Sequence, residues 1–367
     1  MVLKANQLLK SLFPSNLFST KRTREILSIN PTVETERKDA QKSEISYFQY
    51  TPIQVQTKKD LIISDLTTLK SPEGVSWINI DGIIKSEIEL ACTHFGVHYL
   101  IAEDILSVGQ RPKTDEVDGV YYCLLNMLYF NQDKRVVEVE QISLILGDTF
   151  VISIQEEADK DVFNPIRTRL QVQKSQLRHR GADYLLYSMI DLIVDNYFLV
   201  MEGLGEEIEQ LEEEVTRRSN KRSLARINQL RKELIVLKRN IAPVRDLIGS
   251  ILRSESELLN ESTTKYFKDV YDHITQAFDL SENYRDVMMS IQDLYLSNVN
   301  LKMNEAMKIM AVVTSLLAPA TVIGGVFGMN FDKIPFAHSP AGFYIALAIM
   351  IITPLFMIFW FKRRGLV

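Results

Sequence analysis

Residues 309–328 read IMAVVTSLLAPATVIGGVFG and residues 343–361 read FYIALAIMIITPLFMIFWF, and neither stretch contains a charged side chain. A helix needs about 20 apolar residues to cross the hydrocarbon core of a bilayer. Tyr344 and Trp360 lie near the ends of the second stretch, where aromatic side chains meet lipid headgroups. The two stretches therefore predict two transmembrane helices close to the C-terminal end of the chain.

The charges around these spans predict their direction. The connecting loop FDKIPFAHSP carries only Asp332 and Lys333, which cancel. Basic side chains flank the pair of spans on its other side: Lys302, Lys308, Lys362, Arg363 and Arg364. Because basic flanks stay in the cytoplasm, both termini are predicted to be cytoplasmic and the loop to face outward. The expected location is the cell (inner) membrane, which the chain would cross twice as a multi-pass protein.

The composition narrows the classes of function. The chain has 367 residues and a net charge of -5, so it lacks the basic excess of a nucleic-acid-binding protein. Cys92 and Cys123 are far apart and indicate neither a disulfide framework nor a thiolate metal site. No glycine-rich phosphate loop, GxSxG elbow or zinc-hydrolase motif is present, so we expect no enzyme activity.

The sequence ahead of the spans predicts an α/β domain followed by long helices. Strand character in 46–56, 77–80, 121–130 and 138–154, with a turn at Gly147-Asp148, indicates a mixed sheet, and 84–95 has a helical pattern. Helical periodicity then takes over and predicts two long antiparallel helices, Asp183–Thr216 and Ser223–Arg253. His94 and His98 are spaced i,i+4 and could ligate a metal only if carboxylates or a third imidazole joined them in space. Because no HExxH motif is present, they are interpreted as ordinary histidines.

The expected division of the chain follows from these patterns. Residues 1–43 form a flexible tail, although the basic, acid-free segment 1–24 also resembles an organellar targeting segment. The remaining divisions are a cytosolic α/β domain at 44–160, a cytosolic helical hairpin at 161–254, a stalk helix at 255–328 that continues into the first transmembrane helix at about 309–328, an extracytoplasmic loop at 329–342, the second transmembrane helix at 343–361 and a basic cytosolic C-terminus at 362–367.

A polar stripe runs along the predicted stalk. From Lys268 to Asn330 no proline occurs before Pro319, which allows one long helix. Alternating steps of three and four residues follow one face of a helix in a bundle. On this face every residue is polar: Asp269, Asp272, Gln276, Asp279, Asn283, Asp286, Ser290, Asp293, Ser297, Asn300 and Asn304. The same register then meets Met307, Ala311, Thr314, Ala318, Thr321 and Gly325.

Several copies of this helix around one axis would form a pore. The carboxylates of Asp272, Asp279 and Asp286 would then make an acidic funnel that concentrates cations. Two spans cannot enclose a pore alone, so the chain is predicted to be a cyclic homo-oligomer. Three alternatives remain: the stripe is a solvated face, the hydroxyls of Thr314 and Thr321 bond their own helix, and Met307 and Met310 pack between helices instead of gating by dewetting.

The tripeptide Gly328-Met329-Asn330, at the end of the first span, resembles the signature of the CorA magnesium/cobalt channel family. GGVF precedes the tripeptide and Phe331 follows it. Other segments that look like this family are EDIL at 103–106, QRPK at 110–113, YFKDVYDH at 266–273 and YLSNVNLKMNEAMK at 295–308. The likeness extends from about the first strand to the C-terminus.

This resemblance implies a homopentamer that conducts Mg²⁺, and also Co²⁺ or Ni²⁺, inward down the membrane potential. The selectivity filter would be Gly328, Met329 and Asn330, with Asn330 binding a hydrated cation. Asp104 and Asp269 match positions that hold regulatory Mg²⁺ between neighbouring cytosolic domains. Asn304, Met307 and Met310 match the inner pore and gate, and Asp293 matches a ring in the funnel.

The loop departs from the family pattern. Many members carry MPEL after GMN, whereas this chain has IPFA at 334–337, so the loop glutamate is missing and Asp332 and His338 are the polar groups left. The metal preference therefore stays open between a Mg²⁺ channel and the zinc-transporting branch of the superfamily. A membrane-anchored sensor or scaffold without transport is the third hypothesis.

Overall fold

The computed structural model describes residues 39–66, 74–157, 160–329 and 339–365. The described strands are β1 (Glu44–Tyr50), β2 (Val55–Leu61), β3 (Val75–Asp81), β4 (Lys113–Val117), β5 (Val120–Asn131), β6 (Val136–Leu146) and β7 (Phe150–Gln155). The described α-helices are α1 (Ile63–Leu66), α2 (Lys85–His94), α3 (Tyr99–Leu106), α4 (Asn164–Gln171), α5 (Ala182–Arg217), α6 (Lys221–Arg253), α7 (Glu261–Phe327) and α8 (Gly342–Arg363).

The seven strands form one mixed sheet in the order β2-β1-β3-β7-β6-β5-β4. Only β3 and β7 pair in parallel, with Trp77 opposite Val151, and every other neighbouring pair is antiparallel. Alternate residues of these central strands face opposite sides of the sheet. Ile78 and Ile152 belong to the core beneath α2 and α3, while Trp77 stacks on Phe48 on the other side. The predicted mixed sheet is confirmed.

One predicted strand differs from the structure, and two short elements were not predicted. The stretch 46–56 is not one strand, because the chain turns after β1 and returns as β2. The Thr51 hydroxyl accepts hydrogen bonds from the backbone N–H groups of Ile53 and Gln54, and Pro52 has no N–H to give to a ladder. The eight-residue α3 and the polar strand β4 were not predicted, since both are short and β4 lies at the sheet edge.

The long helix α7 begins at Glu261, between residue 255, where the predicted stalk begins, and Lys268, where the polar stripe was first followed. Asn260 precedes its first turn, and the Asn260 backbone and side-chain nitrogens both donate to Asp183 at the start of α5. Pro319 lies inside α7 without ending it. With 67 residues, α7 is about 100 Å long at 1.5 Å per residue.

The chain divides into two compact units. The first runs through Glu213 and includes Ala225–Ser290, so it contains the sheet and most of α5 and α6. The second comprises Glu214–Leu224 together with Ile291–Val367. In the first unit the sheet is tied to these helices, because Asn126 donates to Asn240 of α6 and the Tyr197 hydroxyl of α5 donates to the Asn126 carbonyl. The domain boundaries expected from the sequence stay a prediction.

Candidate functional site

The polar stripe of α7 is exposed along its whole length within the chain. All eleven polar positions, from Asp269 to Asn304, have exposed side chains. Beyond the first turn of the same helix, which buries Thr263, the buried residues are Phe267, Val270, Ile274, Ala277, Ser281, Met288, Ile291 and Tyr295. Each of these eight lies two positions before a stripe residue. Two residues correspond to a rotation of about 200° around the helix, so the stripe lies opposite the packed side.

Specific contacts hold the packed side of α7 in the first unit. Phe267 meets Tyr187 of α5 edge to face at a centroid distance of 5.8 Å. The Tyr284 hydroxyl donates to the Met201 carbonyl at 3.2 Å. The Tyr284 ring packs over Gly205, where an added methyl group would lie 2.6 Å from the Tyr284 hydroxyl oxygen. These contacts fix the rotation of α7 about its own axis. The acidic funnel residues Asp272, Asp279 and Asp286 are therefore directed away from the helices that cover α7.

The register of the stripe continues into the apolar part of α7, where residues on the other sides of the helix are exposed as well. Met307, Ala311, Thr314, Ala318, Thr321 and Gly325 are all exposed. At Gly325 a methyl group would meet nothing within 4 Å, whereas at Gly324 it would lie 3.8 Å from the Met350 methyl group of α8. The second span thus approaches α7 beside Gly324 and leaves the stripe open. Met310 is the most exposed of the two predicted gate residues, at 70% against 53% for Met307.

The two intramembrane threonines bond locally, as one of the sequence alternatives expected. The Thr314 hydroxyl donates to the Met310 carbonyl at 2.9 Å, and the Thr321 hydroxyl donates to the Leu317 carbonyl at 3.0 Å. These bonds use the hydroxyl hydrogen and leave the oxygen lone pairs able to accept. The two oxygens can therefore still accept hydrogen bonds from the hydration shell of a cation.

The predicted filter begins where α7 ends. Gly328 N–H donates to the Gly324 carbonyl at 2.9 Å, and Met329 N–H donates to the Val326 carbonyl at 3.3 Å. Met329 is exposed. Asn330, the residue expected to bind the cation, lies outside the described residues, as do Asp332, the IPFA segment and His338.

The two predicted regulatory acids lie in the first unit and differ in environment. Asp104 of α3 is mostly buried and forms an ion pair with Lys113 at 2.6 Å. Burial lowers the pKa of Lys113. The hydrogen bond and the negative charge of Asp104 raise this pKa by more than burial lowers it, so the net shift is upward. Asp269 of α7 is exposed on the stripe. A cation that binds Asp104 must therefore compete with the Lys113 ammonium group.

A third group of metal-ligand side chains was not predicted from the sequence. Asp191 and Asp195 of α5 and His273 of α7 bring their ligand atoms within 4.8 Å of one another. Burial and the neighbouring charge of Asp195 raise the pKa of Asp191. His273 Nδ1 is buried and has no hydrogen-bond partner among the described residues, and it lies 3.9 Å from Asp195. Two carboxylates and an imidazole suit a divalent cation, and a cation would relieve the repulsion between the acids.

His94 and His98, which the sequence also presented as a pair, serve other purposes. His98 Nδ1 accepts from Leu100 N–H at 3.2 Å and so caps α3. His94 packs against the ring of Phe95. Within the described ranges neither imidazole belongs to a group of metal-ligand side chains.

Among the described residues, three helices are long and apolar enough to cross a membrane. In α5, 56% of the most apolar window is buried inside the protein, which accounts for its hydrophobicity by packing. The corresponding windows of α7 and α8 are 0% and 6% buried. Apolar surface of this extent needs another apolar environment, so α7 and α8 are the candidate spans.

Comparison with known proteins decides the family. The model of the family described as "CorA-like Mg2+ transporter protein" matches residues 72–363 of this chain. The chain belongs to the CorA-like Mg²⁺ transporter family. It is 36% identical over 322 residues to the cobalt/magnesium transport protein CorA of Thermotoga maritima, covering 88% of this chain and 92% of that protein.

A solved CorA structure and a more distant zinc transport protein are also similar to this chain. The complete CorA magnesium transporter structure from Methanocaldococcus jannaschii matches with a TM-score of 0.74 at 23% identity, covering 88% of this chain and 98% of that chain. The zinc transport protein ZntB of Yersinia pestis is 20% identical over 287 residues, covering 78% of this chain and 86% of that protein. The first likeness confirms the predicted α/β domain, long helices and apolar C-terminal pair.

Membership of the CorA family settles the class of function. The chain is a divalent-cation transporter of the membrane and not an enzyme, and Mg²⁺ is the substrate of its family. The assignment of individual residues to filter, gate, funnel and sensor stays a prediction. The sequence did not predict the cluster of Asp191, Asp195 and His273 because 82 positions separate the first and last of these residues. The only signal near it was the segment YFKDVYDH, which ends at His273.

Proposed function

We propose that this CorA-family chain forms a homopentamer in which five α7 helices surround a water-filled path for hydrated Mg²⁺. The observation that carries the proposal is the uncovered polar side of α7, which lies opposite the packed side and continues in phase into the apolar segment. A protomer that packs one side of a helix and leaves a polar side open can place that side around an axis. Carboxylates there raise the local cation concentration.

In this assembly each part of the helix has its own task. Asp272, Asp279 and Asp286, with Asp293 nearer the membrane, line the acidic funnel. Asn304, Met307 and Met310 form the inner constriction, where a ring of thioethers excludes water when it narrows. Thr314, Ala318 and Thr321 line the wider path above it.

The outer entrance is formed by Gly328, Met329 and Asn330. Mg²⁺ loses its hydration water reluctantly, so neutral amide and carbonyl oxygens can hold the hydrated ion without trapping it. Both termini face the cytoplasm, and the protein lies in the cell (inner) membrane. The membrane potential supplies about 2.3 kcal/mol per elementary charge per 100 mV, which drives the ion inward.

The proposed substrates are Mg²⁺, Co²⁺ and Ni²⁺. The alternative substrate is Zn²⁺. Zn²⁺ is tested directly for two reasons: the loop glutamate of many family members is missing here, and relatives of this chain are named zinc transport protein. A scaffold without transport is the remaining alternative.

Proteoliposomes that contain the full chain and a Mg²⁺-sensitive dye test the proposal. We expect Mg²⁺ influx that depends on an inside-negative potential and that Co²⁺ and Ni²⁺ inhibit by competition, with Zn²⁺ a weaker competitor. Empty liposomes are the control. A chain that inserts and assembles but gives no flux of any divalent ion would support the scaffold, and flux of Zn²⁺ alone would support the zinc transporter.

We also propose that cytosolic Mg²⁺ closes the channel by binding acidic groups of the first unit. Asp104 and Asp269 are the residues placed between neighbouring subunits by the family resemblance. The cluster of Asp191, Asp195 and His273 supports a second cation site in the same unit. The carboxylates suit Mg²⁺, and the imidazole favours Co²⁺ and Ni²⁺.

Substitution of these sensors should weaken closure while conduction is retained. Asp104→Ala, Asp269→Ala and His273→Ala are each expected to raise the internal Mg²⁺ concentration for half-maximal inhibition about tenfold, a usual size for allosteric coupling. Glu89→Ala removes an exposed carboxylate of α2 and serves as the control. The measurement is flux against internal Mg²⁺. Curves that coincide with wild type would exclude the substituted residue from sensing.

A further inference from the structure

The turn between α5 and α6 carries a dense group of positive charges. This segment, Glu214–Leu224, belongs to the second unit, and we call it the hairpin tip. Its four cationic residues are all exposed: Arg217, Arg218, Lys221 and Arg222. Glu214 is the only acidic residue of the hairpin tip, which gives it a net charge of +3.

Hydrogen bonds keep the hairpin tip ordered. Asn220 Oδ1 accepts from the N–H groups of Arg222 and Ser223 and so caps the start of α6. The Ser219 hydroxyl donates to the Val215 carbonyl at the end of α5. The cations are therefore presented from a fixed turn, which lowers the entropy lost when they bind a partner.

Two side chains of α7 tie the hairpin tip to the part of that helix just before the first span. Asn298 Nδ2 donates to the Val215 carbonyl at 2.9 Å, and the Lys302 ammonium group donates to the Ser219 carbonyl at 2.7 Å. From Lys302 to Ile309, where the uncharged stretch begins, the helix rises about 10 Å. The polar headgroup layer is about 5–8 Å thick on each side of the hydrocarbon core. Long cationic side chains at this level lie within a Debye length, about 8 Å, of the headgroups.

We propose that the hairpin tip docks on anionic phospholipid headgroups of the inner leaflet. The partner is identified by charge complementarity and by the height at which α7 holds the tip. Each Lys or Arg near an anionic leaflet strengthens attraction about fivefold. The proposal rests on the two-span topology of the proposed function, but it concerns contact with lipid and is independent of ion flux.

Fluorescence quenching in proteoliposomes of the full chain tests this docking. A fluorophore is attached to Thr216→Cys, an exposed position of the hairpin tip, and the natural Cys92 and Cys123 are buried. Vesicles of phosphatidylcholine with a nitroxide-headgroup lipid receive increasing phosphatidylglycerol. We expect quenching to rise with the anionic fraction and to fall at high salt. Arg217→Gln/Arg218→Gln/Lys221→Gln/Arg222→Gln should raise the phosphatidylglycerol fraction for half-maximal quenching at least about fivefold.

A matched variant separates docking from general charge. Lys58→Gln/Lys59→Gln/Lys85→Gln/Lys174→Gln removes four exposed cations from the first unit and should leave the titration unchanged. The proposal would be overturned if quenching did not depend on the phosphatidylglycerol fraction. It would also be overturned if both quadruple variants reduced quenching equally. Inorganic phosphate added to phosphatidylcholine vesicles at matched ionic strength should have no effect, and a response to it would assign the hairpin tip to free phosphate instead. Mg²⁺ flux recorded in parallel shows whether transport fails independently.

Discussion

Asn330→Ala is expected to reduce Mg²⁺ influx into proteoliposomes at least about tenfold, with the assembled oligomer intact. One amide from each subunit would surround the outer entrance, and loss of the whole ring removes several oxygen contacts to the hydrated ion at once. A hydrogen bond to a charged group contributes about 1.5–3 kcal/mol, so even one lost contact corresponds to about tenfold or more. The measurement is the initial rate of dye response at equal protein content.

Asp332→Ala in the same loop is the matched control for Asn330→Ala. It removes a charge beside the entrance but no amide, so we expect a small effect that shrinks as ionic strength rises. Size-exclusion chromatography of both variants checks assembly. Equal flux for Asn330→Ala and wild type would remove Asn330 from the filter, and a larger loss for Asp332→Ala would transfer the role to that carboxylate.

Modification of Thr314→Cys by a cationic methanethiosulfonate reagent is expected to lower flux at least about 100-fold. The reagent adds one positive charge per subunit to the stripe. At an effective dielectric constant of about 20, one charge about 6 Å from a divalent ion raises its energy by about 5 kcal/mol. The measurement is Mg²⁺ influx before and after treatment, with a reducing agent to restore it.

The rotation of α7 supplies the controls for this experiment. Ala318→Cys lies on the stripe and should behave like Thr314→Cys, whereas Leu316→Cys lies about 200° away and should not respond. Burial raises the pKa of Cys92 to about 11 and that of Cys123 to about 12, so both stay as unreactive thiols at neutral pH. Block at Leu316→Cys with none at Thr314→Cys would place the other side of α7 at the ion path.

The local patterns of the sequence predicted much of the molecule. The sequence predicts the two spans because each is an uncharged stretch long enough to cross a bilayer. It also predicts the polar stripe because residues spaced three and four apart lie on the same face of a helix. The strand pattern was less reliable, since 46–56 contains a turn that Thr51 and Pro52 create. The strand β4 was missed because an edge strand with the sequence KTDEV has no buried alternation to detect.

By itself, the sequence determined the apolar C-terminal pair, the mixed α/β domain and the phase of the polar stripe, because each depends on residues close together in the chain. Only the tertiary structure decided which side of α7 is covered, since Tyr284 reaches Met201 across 83 positions. It also brought Asp191 and Asp195 to His273 and tied the hairpin tip to Lys302. Such neighbours arise when the packing of distant helices offsets the entropy cost of closing long loops, and no local pattern records that balance.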